Sequence, residues 1–160
     1  MPPRRNRGSA EALGEGAPRP GRGGGPRHLR LLGVRTRSTA ELLEQVERGL
    51  DFDALERFKR ETELSWEAVS ALVRIPSRTL ARRREAGRLG SAESDRLVRA
   101  SRLFQQAVDL FEGDADAARR WLTRPQRALG GATPLAYART ETGGREVEQL
   151  IGRLEHGIAS

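Results

Sequence analysis

Ser65-Trp66-Glu67-Ala68-Val69-Ser70-Ala71-Leu72-Val73-Arg74-Ile75-Pro76-Ser77-Arg78-Thr79-Leu80-Ala81-Arg82-Arg83-Arg84-Glu85-Ala86-Gly87 is the stretch that decides how this chain folds. Serine caps helices well, and Glu67 falls in the first turn, where the helix dipole favours an acid. Trp66 to Val73 therefore reads as one short helix, broken by Arg74-Ile75-Pro76. Ser77 to Glu85 reads as a second, ended by Gly87. Two short helices joined by a tight turn, the second loaded with arginine, form a helix-turn-helix pattern. Val69, Leu72, Ile75 and Leu80 are its expected core. The outward set is Arg78 and Arg82, with Arg74, Ser77, Thr79 and Arg83 beside them. These six are the candidate DNA-binding residues. A guanidinium fork suits that task because it pairs bidentately with guanine or clamps a phosphate.

Working toward the N-terminus, Phe52, Leu55 and Phe58 recur at helical spacing and predict a helix near 51–62. Before it, Ser38 or Thr39 caps a helix to about Arg48, with Leu42, Leu43 and Val46 on one face and Gly49 as its stop. Residues 1–30 are rich in Gly, Pro and Arg and have no apolar periodicity, which predicts a disordered tail with order starting near Leu31. No stretch alternates as a strand does, so the expected class is all-α. Residues 31–100 form the expected helix-turn-helix domain.

Toward the C-terminus, Ser91 is the expected cap of a long helix to about Phe111, with Leu97, Ala100, Leu103, Phe104, Ala107, Val108 and Phe111 at three- and four-residue steps. At 1.5 Å per residue such a helix is roughly 30 Å long and can join two modules. A small helical module, 101–160, follows. Ala115 to Leu122 is a helix stopped by Pro125, and Leu129-Gly130-Gly131 is a glycine-dependent turn. Pro134 opens a helix that Gly143-Gly144 is expected to end. A final helix carries Val147, Leu150, Ile151 and Leu154 in one stripe. That stripe is either a partner surface or the module's own packing face.

Charge supports this division. The net charge is +7. Residues 1–38 hold nine arginines and two glutamates and account for all of it. In the neutral remainder, residues 74–102 carry nine arginines against three acids. One basic segment in a neutral body is the footprint of a nucleic-acid surface. It is equally that of an ion-paired, solvated face. Cysteine is absent, which removes disulfides, thiolate metal sites and thiol nucleophiles. No apolar run is long enough for a membrane span and no secretory signal is apparent, so a cytoplasmic location is expected. Only two histidines occur, His28 and His156, and no acid stands at ligand spacing from a pair of them. No catalytic residue, metal or cofactor is expected.

The C-terminal residues read W-L-x-x-P-x-x-x-L-G-G-x-T-P-L from Trp121 to Leu135, then G-x-x-V-x-x-L-I-x-R-L-x-x-G-I from Gly144 to Ile158. This series resembles the toxin-binding domain of the Xre/MbcA/ParS antitoxins, well over 100–160 and more loosely back to Leu31. The resemblance implies a type II antitoxin that neutralises a RES-domain toxin, an enzyme consuming NAD. It also implies that the antitoxin's C-terminal segment covers the toxin's active-site cleft. Leu154, Gly157, Ile158 and Ser160 would approach that cleft, with Val147, Leu150 and Ile151 as further toxin-binding positions. Trp121, Leu122, Leu129, Gly130 and Pro134 would hold the module's shape. The helix-turn-helix would bind operator DNA as a homodimer and repress the operon. Ser70 and Arg74 stand where such motifs usually carry a small Ala and a Gly. A non-Gly residue at positive φ costs about 1 kcal/mol, so an altered or weaker turn is expected. Two other readings stay open: a stand-alone regulator whose C-terminal module only dimerises, and a protein-binding adaptor that has lost DNA binding.

Overall fold

The computed structural model describes residues 25–157. Residues 1–24 of the tail expected over 1–30, and the positions Ile158 and Ser160, lie outside the described residues. All regular structure among the described residues is helical. The sole strand-like feature is an isolated antiparallel bridge between Asp51 and Arg88.

Helix α5 (Ser91–Leu110) is the axis. Its Leu97, Ala100, Leu103, Phe104 and Ala107 are at most 4 % exposed, because their spacing puts them on the faces its neighbours cover. A 3-10 turn (Arg27–Leu32), α1 (Thr39–Arg48), α2 (Phe52–Thr62) and α3 (Trp66–Val73) pack around it from the N-terminal side. From the C-terminal side come α6 (Ala115–Thr123) and α8 (Glu141–Glu155). The core is one apolar cluster running from Leu29 to Ile151, so both halves of the chain share it. Phe58 of α2 meets Phe104 of α5 edge to face, with ring centroids 6.4 Å apart. Between the halves, the short α7 (Pro134–Tyr137) packs against α3, and Arg119 of α6 pairs with Glu63 at 2.7 Å.

Local signals set most helix ends. Ser38, Ser65, Asp114, Thr133 and Thr140 each accept an N–H from three residues on, the usual N-cap bond. Gly87 ends α4 (Ser77–Ala86) in the left-handed region, at φ 73°. Gly130 and Gly131 both hold positive φ, as the Leu129-Gly130-Gly131 turn requires.

Three local expectations differ from the structure. Among the described residues regular structure is already present at Arg27, ahead of the expected Leu31: the 3-10 turn buries Leu29, 1 % exposed, and Leu32 against the central helices, an apolar pair too short to register as periodicity. The cap of α5 is Gly90, not Ser91. The Glu93 carboxylate takes the Gly90 N–H at 2.6 Å, and Ser94 Oγ donates back to the Gly90 carbonyl at 2.8 Å, so Ser91 is left exposed in the first turn. Gly143-Gly144 does not end α7. Both glycines lie in the first turn of α8 behind the Thr140 cap, where Gly143 lets the Tyr137 carbonyl approach its Cα closely.

Candidate nucleic-acid and partner surfaces

Helix α4 differs from every other helix described: it buries no residue. Val69, Leu72 and Ile75 are at most 5 % exposed and form the expected motif core, while Leu80, the α4 member of that set, is only half-buried. The chain therefore displays α4 rather than packing it. Its N-terminus is preceded by Pro76, and no side chain caps its first N–H groups, where the positive end of the helix dipole lies.

The turn keeps its left-handed geometry without glycine. Arg74 sits at φ 56° and ψ 48°, its N–H bonded to the Ala71 carbonyl, and the Ile75 N–H reaches the Ser70 carbonyl at 2.9 Å. This double closure is the usual glycine-type helix ending, built here on an arginine. The expected altered turn is thus a strained copy of the ordinary one.

The arginines of this segment divide into two groups. Arg74, Arg78 and Arg82 are exposed, recur every four residues, and form no ion pair among the described residues. Ser77 is exposed beside them and Thr79 is half-buried. Arg83 instead donates Nε–H to Glu93 at 2.9 Å, and Glu93 is itself 8 % exposed. Arg84, outside the expected set, pairs with Glu56 at 3.7 Å and lies 5.3 Å from the Phe52 ring centroid and 5.4 Å from that of Trp66. Among the arginines of α5, Arg96 donates to the Val73 carbonyl, Arg99 pairs with Asp95 and Arg102 with Glu148. Most of the basic segment is committed within the chain; the 74–78–82 row is the part left for a partner.

In the C-terminal module, Ala118, Leu122, Leu129 and Pro134 are buried, and Trp121 packs half-buried against Phe111 with centroids 6.4 Å apart. On α8, Val147, Leu150 and Ile151 are at most 3 % exposed and face α5 and the rest of the core. Leu154 is half-buried, and Gly157 is exposed at φ 67°. The stripe therefore splits: its first three members fill the core, and surface is regained only at the helix end. His28 lies on the 3-10 turn, where burial and then the nearby Arg102 guanidinium lower its pKa from the ordinary 6.5. Among the described residues no three His, Asp or Glu side chains come together as a metal site requires, and no helix is long and apolar enough to cross a membrane.

Sequence reasoning missed the roles of Arg84, Trp66, Glu56 and Glu93. Glu93 was legible in principle, since it stands three residues beyond the helix cap. The other three meet only through tertiary packing.

An all-helical chain that presents an arginine row on an uncapped, unburied helix after a tight turn is a helix-turn-helix protein, here with a second helical module on the same core. Residues 41–102 match the antitoxin Xre-like helix-turn-helix domain, and residues 106–157 match the antitoxin Xre/MbcA/ParS C-terminal toxin-binding domain. Similar proteins include an Antitoxin Xre of Yersinia enterocolitica, 36 % identical over 132 residues, 82 % of this chain and 89 % of the relative. An Antitoxin Xre of Photorhabdus laumondii is 49 % identical over 74 residues, 46 % of this chain and 50 % of that one. An Antitoxin Xre of Pseudomonas putida is 37 % identical over 84 residues, 52 % of each chain. The chain belongs to the Xre antitoxin family.

Proposed function

We propose that this chain is a cytoplasmic, non-catalytic type II antitoxin of a RES-domain toxin. Its C-terminal module binds the toxin and covers an NAD-consuming active site. Helix α4, presented twice by a homodimer, enters the major groove of the operon's operator and represses transcription. The observation that carries this reading is the toxin-binding domain match over 106–157, joined to a helix-turn-helix on the same core. The motif series from Trp121 to Ile158 supports the RES assignment. The exposed Arg74–Arg78–Arg82 row supports the operator assignment, with Ser77 and Thr79 at the entering end of α4.

Toxin contact falls to Leu154 and Gly157 at the surface, and beyond them to Ile158 and Ser160. Val147, Leu150 and Ile151 act by holding α8 in place. The test follows from that division. A chain ending at Glu155 keeps all of α8 and should fold and bind operator as the full chain does, yet fail to co-purify with the toxin encoded beside it. Undiminished co-purification of the shortened chain would refute the tail contact. An operator affinity unchanged in an Arg78→Ala/Arg82→Ala double variant would refute the α4 assignment.

A further inference from the structure

The arginine run of α4 poses a mechanical problem. A helix with no fully buried residue, held by the half-buried Leu80, has little apolar packing to fix its direction, yet a helix that reads DNA must be aimed to within about 0.5 Å and 10–20°. We propose that Arg84 and Arg83 are positioning residues that clamp α4 to the body, and that neither contacts DNA. The proposal rests on the DNA-binding reading above and adds to it a division of labour among adjacent arginines.

The Arg84 side of the clamp is built from three side chains on two helices. Its guanidinium lies 5.3 Å from the ring centroid of Phe52 on α2 and 5.4 Å from that of Trp66 on α3, both within the range where a cation is drawn to an aromatic face. Glu56, one turn beyond Phe52 on α2, stands 3.7 Å from Arg84 Nε. Phe52 is only 3 % exposed, so one side of the clamp is anchored in the core. Trp66 is half-buried and opens α3, the partner helix of the motif.

The Arg83 side works through Glu93. That carboxylate accepts from Arg83 Nε at 2.9 Å and from the Gly90 N–H at 2.6 Å, so the bond that starts α5 also ties down α4. Glu93 is nearly buried, and removing Arg83 would leave an unbalanced charge there. Together the two clamps join α4 to α2, α3 and α5, while the 74–78–82 row stays free. The backbone supports only the far end, where Phe52 N–H bonds the Gly87 carbonyl and Leu89 N–H bonds the Leu50 carbonyl, both at 2.9 Å.

The test is operator binding by Arg84→Gln and Arg84→Lys as a function of salt, on operator and on unrelated duplex. A phosphate contact reveals itself in the salt slope, which falls by about 0.9 for each one lost, on any sequence. A positioning residue leaves the slope and the non-specific affinity alone and weakens only operator binding. For Arg84→Gln we expect a loss of roughly tenfold, as two exposed-type cation–aromatic contacts allow. Arg84→Lys, which keeps a cation over the rings, should recover part of it. A slope reduced on both duplexes, or an unchanged operator affinity, overturns the proposal.

Trp66→Leu supplies a second variant that removes a ring and no charge. In a double-mutant cycle with Arg84→Gln the two losses should be less than additive, because they break one contact; full additivity contradicts the clamp. Hydrogen exchange of the α4 amides tests it without DNA. Faster exchange at residues 81–86 in Arg84→Gln, with the α5 amides unchanged, supports the clamp, and unchanged exchange removes it. Should the wild-type chain bind no operator, the DNA-binding reading fails by itself and the exchange result still decides the clamp.

Discussion

Gly143 and Gly144 are adjacent, both helical, and should respond to alanine in opposite ways. A methyl on Gly143 would overlap the Tyr137 carbonyl oxygen outright, with the Tyr137 carbonyl carbon at 2.8 Å and Thr140 Oγ1 at 3.0 Å. The obstacle is backbone at the end of α7, so no rotamer change relieves it. On Gly144 the nearest atom is the Ala138 carbonyl oxygen at 4.0 Å, an ordinary contact. Alanine is favoured over glycine inside a helix by about 1 kcal/mol, which sets the gain expected at Gly144. At Gly143 that gain is outweighed by moving a packed carbonyl, and a net loss of about 3 kcal/mol is in the range of severe overpacking. For a body of this size 1 kcal/mol is roughly 4 °C in Tm. Thermal melts should show Gly144→Ala a few degrees above wild type and Gly143→Ala about 10 °C below. Gly143→Ala should also lose toxin binding more steeply than Tm alone explains, because α7 and α8 meet at this elbow. If the two variants melt within about 2 °C of each other, the close approach does not govern the module.

Other outcomes follow from the same structure. Arg74→Gly removes the cost of a side chain at φ 56°, less glycine's greater chain entropy, and should raise stability by about 0.5–1 kcal/mol in denaturant melts while weakening operator binding. Arg78→Ala/Arg82→Ala should lower the operator salt slope by as much as ~1.8 and leave Tm nearly unchanged, since both side chains are exposed and unpaired among the described residues. For His28 the folded pKa lies below the ordinary 6.5, so the unfolded chain takes up the proton first. Its contribution to stability is complete above that value and is lost as pH falls through it toward the folded pKa. Melts from pH 8 to 5 should therefore decline less in His28→Gln than in wild type.

The sequence carried what is locally encoded. Ser65, Gly87, Asp114 and Pro134 mark their helix boundaries because caps and breakers act within one turn. The axis was equally readable, since Leu97 to Ala107 keep a helical period through the middle of the 20-residue α5. Gly143-Gly144 misled because glycine serves two purposes, and a stop cannot be told from a close approach until the Tyr137 carbonyl is placed. Leu29 escaped notice because a 3-10 turn has no amphipathic period to detect. At the candidate site the arginine run was visible, but its division was not. Arg83 differs from Arg82 only through Glu93, ten positions away, and Arg84 only through rings contributed by α2 and α3. The apolar stripe of α8 likewise gives no hint from spacing alone that Val147, Leu150 and Ile151 face inward while Leu154 lies at the edge.

The central proposal is that the C-terminal segment of this chain shields an NAD-consuming toxin. The most direct measurement is cellular NAD during expression of the RES-domain toxin proposed as its partner, alone, with the full chain, and with a chain ending at Glu155 whose melt matches wild type. The account predicts that NAD collapses with toxin alone, holds with the full chain, and collapses again with the shortened one. Steady NAD under toxin alone, or full protection by the shortened chain, would contradict it.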